Sequence, residues 1–248
     1  MKKIVLSLLL SLFSLNAGEI NIAVAANVSY AMDDLKKAFN QLYPGTKVNV
    51  TLGSSGKLTA QIKNGAPYQL FLAANMKYPK ALYEEGIATT RPLVYAQGSL
   101  AYLSSKKQDF SKGIALVQDS SINKIAVANP KTAPYGKAAI EAMKMGGVYE
   151  SVKDKYVFAE SISQTVSYAV TAADIGFIAK SSLYSPKMAQ YKEGVNWAEV
   201  DPKLYTPINQ GIVILKNGEA NSEVAAFYAF MLSAKAKEIF QNYGYMVP

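Results

Sequence analysis

The sequence predicts an α/β protein of two lobes, each built on a mainly parallel sheet flanked by helices. Three observations predict it. β-Branched apolar runs alternate with segments of helical period, the connections between them are short, and two groups of such units flank extended segments at about 92–104 and 206–215. A chain of 248 residues has room for two cores. It would start in lobe one, build lobe two and return, which sets lobe one at residues 18–95 and 209–248 and lobe two at 96–208. No fixed-period repeat or low-complexity stretch interrupts this order.

The elements follow in sequence. Lys2 and Lys3 precede an apolar run from Ile4 to Leu15 and then Asn16-Ala17-Gly18, the pattern of a secretory signal over residues 1–17. That run is shorter than the ~20 helical residues needed to span a bilayer. A strand at 20–25 turns at Asn27 into a helix that carries Val28, Ala31, Met32, Leu35, Phe39 and Leu42 until Pro44. The unit recurs as a strand at 47–52, the turn Gly53-Ser54-Ser55-Gly56 and a helix at 57–63, and a strand at 68–73 precedes a helix at 76–85. Residues 93–97 and 100–104 read as extended. A strand at 124–128 leads through Asn129-Pro130 and Ala133-Pro134-Tyr135-Gly136 into a helix at 137–145. Residues 156–158 enter a helix opened by Ser161, whose spacing to Gln164 is that of a capping box. A strand at 175–179, another at 207–215 and a helix pair at 222–243 complete the chain.

Composition narrows the chemistry. There is no His and no Cys, which excludes imidazole-dependent nucleophiles, thiolate or imidazole zinc sites and disulfides. Without Cys a lipid cannot be attached at the mature terminus, so the expected product is soluble outside the cytoplasm, most simply in a periplasm. Lys plus Arg number 26 and Asp plus Glu 18, a net charge of +8 with no concentrated basic tract. Such diffuse basicity attracts anions without specifying nucleic acid, which is not an expected partner.

Four helix starts carry small or polar residues: Ala26-Asn27, Ser54-Ser55-Gly56, Ala133-Pro134-Tyr135-Gly136 and Ser161-Ile162-Ser163. In open parallel sheets ligands sit beyond the carboxyl ends of the strands, where the next helices present unpaired N–H groups and the positive ends of their dipoles. Ser hydroxyls and the Asn27 amide add donors, and Gly56 and Gly136 let the backbone come close. At any single start the same residues serve equally as ordinary caps; their recurrence at four starts favours an anion site. Gly53-Ser54-Ser55-Gly56-Lys57 is not a Walker loop, since Thr51 and Leu58 stand where Gly and Ser or Thr are required. Ser54-Ser55-Gly56-Lys57 also matches the S-x-x-K element of secreted Ser-Lys hydrolases, but Lys131-Thr132-Ala133 is a poor third element and follows Ser121-Ile122-Asn123 too soon. The pairs Asp33-Asp34 and Glu84-Glu85 suit solvated helix faces, and Asp174 a turn.

From Ile20 to the C-terminus the sequence resembles the periplasmic molybdate-binding proteins of bacterial molybdate ABC importers. The resemblance rests on Val24-Ala25-Ala26-Asn27, on Gly53-Ser54-Ser55-Gly56-Lys57-Leu58 with Gln61-Ile62 and Gly65-Ala66-Pro67, and on Asn129-Pro130 with Ala133-Pro134-Tyr135-Gly136. Ser163-Gln164 before Ile175-Gly176-Phe177, and Phe227-Tyr228 before Ile239-Phe240 and Tyr243-Gly244-Tyr245, complete it. It implies a two-lobed periplasmic binding protein fold that closes on one molybdate or tungstate dianion, with no cofactor, no directly coordinated metal cation and no catalytic turnover. It implies a monomer that delivers its ligand to an inner-membrane ABC permease. Carried over by position, the binding residues are Ala26 through its backbone, Asn27, Ser55 through hydroxyl and backbone, and the N–H groups of Tyr135 and Ile162. Two positions depart from the family: Ala179 stands where some members have a donating Tyr, and Gln69 where many have Asp.

A site lined only by donors rejects a protonated phosphate, whose O–H needs an acceptor, while sulfate must be sorted by size. The alternatives from this reading are a binding protein for sulfate or another tetrahedral oxyanion, a ferric-ion binder using some of the 17 Tyr residues, and the Ser-Lys hydrolase.

Overall fold

A computed structural model describes residues 18–248, and the expected signal at 1–17 lies outside them. The first lobe opens with β1 (Glu19–Ala25), α1 (Ser29–Leu42), β2 (Lys47–Gly53), α2 (Ser55–Lys63), β3 (Leu70–Ala73), α3 (Lys77–Glu84) and β4 (Leu93–Gly98). The second contains β5 (Leu100–Leu103), β6 (Ile125–Ala128), α4 (Pro134–Met145), α5 (Tyr149–Val152), β7 (Tyr156–Ala159), α6 (Ile162–Thr171), β8 (Ile175–Ala179) and β9 (Trp197–Glu199). The chain then returns as β10 (Ile208–Ile214), α7 (Ser222–Met231) and α8 (Ala234–Asn242).

The described residues form two five-stranded sheets, in the orders β2-β1-β3-β10-β4 and β7-β6-β8-β5-β9. In each sheet four strands run one way and one is reversed, β10 in the first and β5 in the second. The reversal has a simple cause. β4 and β9 end at the cleft between the lobes, so the next strand, β5 or β10, enters its sheet from the cleft and runs against neighbours that end there. The sheets are therefore mixed, with the parallel majority expected from the βαβ order and one antiparallel strand imposed by each crossing.

Both faces of each sheet are covered, as the period-two pattern of the strands requires. Ile20, Ile22 and Val24 of β1 pack with Leu35 and Phe39 of α1, Phe227 of α7 and Phe240 of α8 on one face, while Ala23 and Phe71 meet Leu58 and Ile62 of α2 and Leu82 of α3 on the other. In the second lobe Ile125, Val127 and Phe177 pack against Ala139, Ala142 and Met143 of α4, and Ala126 and Ile178 against Val166 and Ala169 of α6. All carboxyl ends of the parallel strands are thereby aimed at the cleft.

The helices begin nearer the cleft than the sequence pattern suggests. α2 starts at Ser55 instead of residue 57, and α4 at Pro134, whose fixed φ and missing N–H suit the first helical position. A 3-10 turn at Ala26–Val28 comes before α1. α5 and β9 have four and three residues, too few for a periodic signal. Asp174 accepts from the N–H groups of Asn123 and Lys124 at 2.9 and 3.0 Å, joining the starts of β6 and β8 as a turn residue would.

Candidate oxyanion-binding site

The four helix starts meet. Ala26, Asn27, Ser55, Tyr135 and Ile162 all line one small cavity, together with Ala25, Gly53, Ser54, Ala74, Ala133 and Pro134. The cavity is small, with about 10 Å³ of free space, close to the room one water needs and far below the roughly 300–1,000 Å³ of drug-sized sites, so it admits nothing larger than a small ion. No Lys, Arg, Asp or Glu is among the described residues that line it.

Each start contributes a different donor. The 3-10 turn at Ala26–Val28 follows β1 directly, so its first N–H groups have no partner within the turn. Ser55, fully buried at the first position of α2, accepts from the Ala74 N–H at 2.9 Å through Oγ, which leaves its own hydrogen free to donate. In α4, Pro134 has no N–H, and Tyr135 supplies the first one. At α6 the Ser161 hydroxyl accepts from the Gln164 N–H at 3.3 Å, and the side-chain Oε1 of Gln164 reaches back to accept from the Glu160 N–H at 2.7 Å. This is the anticipated capping arrangement displaced by one residue upstream, and it does not consume the Ile162 N–H. Three helix dipoles and a turn thus converge on one point, an arrangement that favours negative charge.

The lobes touch across this cavity. The Gly56 N–H donates to the Thr132 carbonyl at 2.9 Å, and the Ser181 hydroxyl donates to the Asn27 carbonyl at 3.1 Å. A Cβ at Gly56 would lie 2.9 Å from Thr132 Cα, and one at Gly136 only 1.9 Å from the Ala128 carbonyl oxygen. Both glycines are therefore required by close approach. At the outer mouth Lys57 and Glu160 form an ion pair at 3.3 Å, with side chains 56% and 77% exposed, a geometry worth little to stability. Lys57 is thereby directed to a carboxylate, away from the role of base that a Ser-Lys hydrolase would demand.

Two atoms depart from the sequence expectation. The Asn27 amide does not offer its hydrogens to the cavity: Nδ2 donates to Gln210 Oε1 at 2.7 Å and to the Tyr245 hydroxyl at 2.9 Å, and Oδ1 is buried without a partner. Ser54 occupies the N-cap of α2, yet its hydroxyl makes no capping bond and is also unpaired, although the residue is only 5% exposed. Sequence reasoning placed Ser54 in the right turn but not among the ligand residues. A signal for Gln210 was present as a lone buried amide within the apolar strand 208–214. Ala179 does not line the cavity; its carbonyl accepts from the Ser182 hydroxyl at 2.8 Å. Gln69 instead accepts the Asn21 N–H at 2.9 Å through its side-chain carbonyl.

Burial governs the phenols around the site. It pushes the Tyr245 hydroxyl up to about 12 and holds Tyr95 and Tyr135 well above the usual phenol value, with repulsion between neighbouring phenols adding to the effect at Tyr95 and Tyr135. These groups are neutral donors and acceptors at any physiological pH.

The chain is similar to known proteins along almost its whole length. The family described as bacterial extracellular solute-binding protein matches residues 20–246. The molybdate-binding protein ModA of Azotobacter vinelandii is 37% identical over 232 residues, covering 92% of this chain and 90% of its own. ModA of Rhodobacter capsulatus is 38% identical over 233 residues, covering 93% and 89%. The solved structure of the Azotobacter vinelandii periplasmic molybdate-binding protein superposes with a TM-score of 0.83 at 29% identity, covering 92% of this chain and 99% of that one.

Proposed function

The chain belongs to the bacterial extracellular solute-binding protein family, and from that premise we propose that it captures molybdate, and tungstate with it, for delivery to an ABC importer of the inner membrane. The observation that carries the reading is a small uncharged cavity where donor-bearing turns of both lobes converge. Its relatives named as molybdate-binding proteins support the choice of ion. The protein acts without catalytic turnover, as a monomer, in the periplasm.

The chemistry follows from desolvation. A dianion brought out of water must exchange its hydration shell for other donors. Hydrogen bonds to a charged group contribute roughly 1.5–3 kcal/mol each, so about half a dozen offset dehydration and leave micromolar to nanomolar affinity. The donors proposed are the backbone N–H groups of Ala26, Asn27, Tyr135 and Ile162, the backbone and hydroxyl of Ser55, and the hydroxyl of Ser54. Because they come from both lobes, the anion binds the closed form more tightly and shifts a hinge equilibrium that a permease can read. The proposed hinge lies at the two crossings, near residues 95–99 and 205–209.

Titration calorimetry with molybdate, tungstate, sulfate and phosphate tests the reading. Molybdate and tungstate are expected to bind at micromolar or tighter and phosphate not measurably. Preference for sulfate over molybdate would overturn the assignment of the ligand.

A further inference from the structure

The unpaired Asn27 oxygen belongs to a buried network that crosses between the lobes. Gln210, fully buried on β10, accepts from Asn27 Nδ2 at 2.7 Å and from the Tyr95 hydroxyl at 2.9 Å through Oε1. Its Nε2 donates to the Tyr135 hydroxyl at 3.2 Å, on the first turn of α4 in the opposite lobe. Tyr245 accepts from Asn27 Nδ2 at 2.9 Å and donates to the Asn27 carbonyl at 2.8 Å. Among the buried side-chain atoms of this network only Asn27 Oδ1 lacks a partner. An unpaired acceptor on a residue that lines an anion cavity is unfavourable once the cavity is filled, since its partial negative charge repels the ion.

Turning both carboxamides over removes the conflict. Half a turn about the last side-chain bond of Asn27 and of Gln210 exchanges N for O with almost no displacement of atoms. Asn27 Oδ1 then accepts from Gln210 Nε2 and from the Tyr245 hydroxyl, while the Asn27 carbonyl keeps its hydrogen bond from Ser181. Gln210 Oε1 accepts from the Tyr135 hydroxyl. The second hydrogen on Gln210 Nε2 goes to the Tyr95 hydroxyl, which faces the Ala73 carbonyl 3.5 Å away as an acceptor for its own proton. The contacts with Gln210, Tyr95, Tyr135 and Tyr245 survive with donor and acceptor exchanged, at the loss of the Tyr245 bond to the Asn27 carbonyl, and the one side-chain group left without a partner is Asn27 Nδ2, a donor on a residue that lines the cavity. Neither amide can turn alone, because the pair would then face oxygen to oxygen or nitrogen to nitrogen.

We propose that Gln210 is a positioning residue of the site, whose carboxamide turns over together with that of Asn27 when the oxyanion enters, so that Asn27 donates to the ion while Gln210 stays bonded to Tyr135 across the cleft. The proposal rests on the oxyanion-binding function above and adds how its one side-chain amide is switched into place.

A double-mutant cycle read by molybdate calorimetry tests it. Gln210→Met, which keeps the length but cannot donate, is expected to weaken molybdate at least tenfold in the wild-type background and less than twofold in the Asn27→Ala background. Equal weakening in both backgrounds would overturn the proposal, since a general packing role would act in either. Should Gln210→Met fail to fold by circular dichroism, the wild type decides: the side-chain carboxamide resonances of Asn27 and Gln210 are both expected to shift on saturation with molybdate, and a shift confined to Asn27 would overturn the coupling. Wild-type protein that binds none of molybdate, tungstate and sulfate would instead contradict the function itself.

Discussion

Gly56 donates its N–H to the Thr132 carbonyl at 2.9 Å, the first turn of α2 in one lobe meeting the loop before α4 in the other. That single bond fixes how near the two helix starts come, because there is no side chain between them. In the proposed site closure and ligand geometry are then the same event: the approach that joins Gly56 to Thr132 also brings Ser55 and Tyr135 to one cavity.

Gly56→Ala accordingly holds the cleft open. The new methyl would lie 2.9 Å from Thr132 Cα and 2.7 Å from the Tyr78 hydroxyl. Molybdate affinity is expected to fall at least tenfold by calorimetry, and the ligand-induced decrease in radius of gyration by small-angle scattering to be lost. Unchanged affinity would show that binding does not require this approach.

The two serines of the turn should respond with opposite signs in stability. Ser54→Ala removes a buried unpaired hydroxyl, so the ligand-free protein gains up to about 1 kcal/mol while molybdate binding weakens several-fold. Ser55→Ala strips the Ala74 N–H of its partner, costing about 1–3 kcal/mol of ligand-free stability and at least tenfold in affinity. Denaturant unfolding and calorimetry on the two variants check both.

The pH response follows from the absence of His and from the buried phenols. No group lining the cavity titrates between pH 6 and 9, so molybdate affinity should be flat there. Stability behaves differently at high pH. Phenols in the unfolded chain lose protons near pH 10, whereas burial raises Tyr245 to about 12 in the fold and lifts Tyr95 and Tyr135 as well. The contribution of the neutral network is complete below about pH 10 and is lost as pH rises towards 12. Denaturant midpoints measured from pH 7 to 11.5 should hold level and then drop.

Association should be steered by charge although the cavity is neutral. Lys77, Lys80, Lys131 and Lys137 line an outer groove that shares Ala133 and Pro134 with the cavity. Raising salt from about 20 to 500 mM shortens the Debye length from roughly 20 Å to a few ångströms, so the stopped-flow association rate should fall several-fold while dissociation changes less than twofold. Lys77→Gln combined with Lys131→Gln should flatten that dependence.

Most of the candidate site was legible in the sequence because it is made from local signals. Ser55, Tyr135 and Ile162 each sit where a strand gives way to a helix, and turn composition marks such places without tertiary information. The missing part is non-local. Nothing near Asn27 in sequence says that Gln210, 183 residues away, will take its amide hydrogens, and nothing near Ser54 says that its hydroxyl will forgo a cap. The reversed strands β5 and β10 were hidden for the same reason, since their direction is set by which edge of the sheet the chain enters after crossing.

The most direct measurement is a crystal structure of the protein grown with molybdate, refined finely enough to resolve the oxyanion's contacts. The proposed site predicts oxygens within hydrogen-bond distance of the Ser55 hydroxyl and of the N–H groups of Ala26, Asn27, Tyr135 and Ile162, with no Lys or Arg in contact. An ion held by Lys57 or by the lysines of the outer groove, with the inner cavity empty, would contradict it.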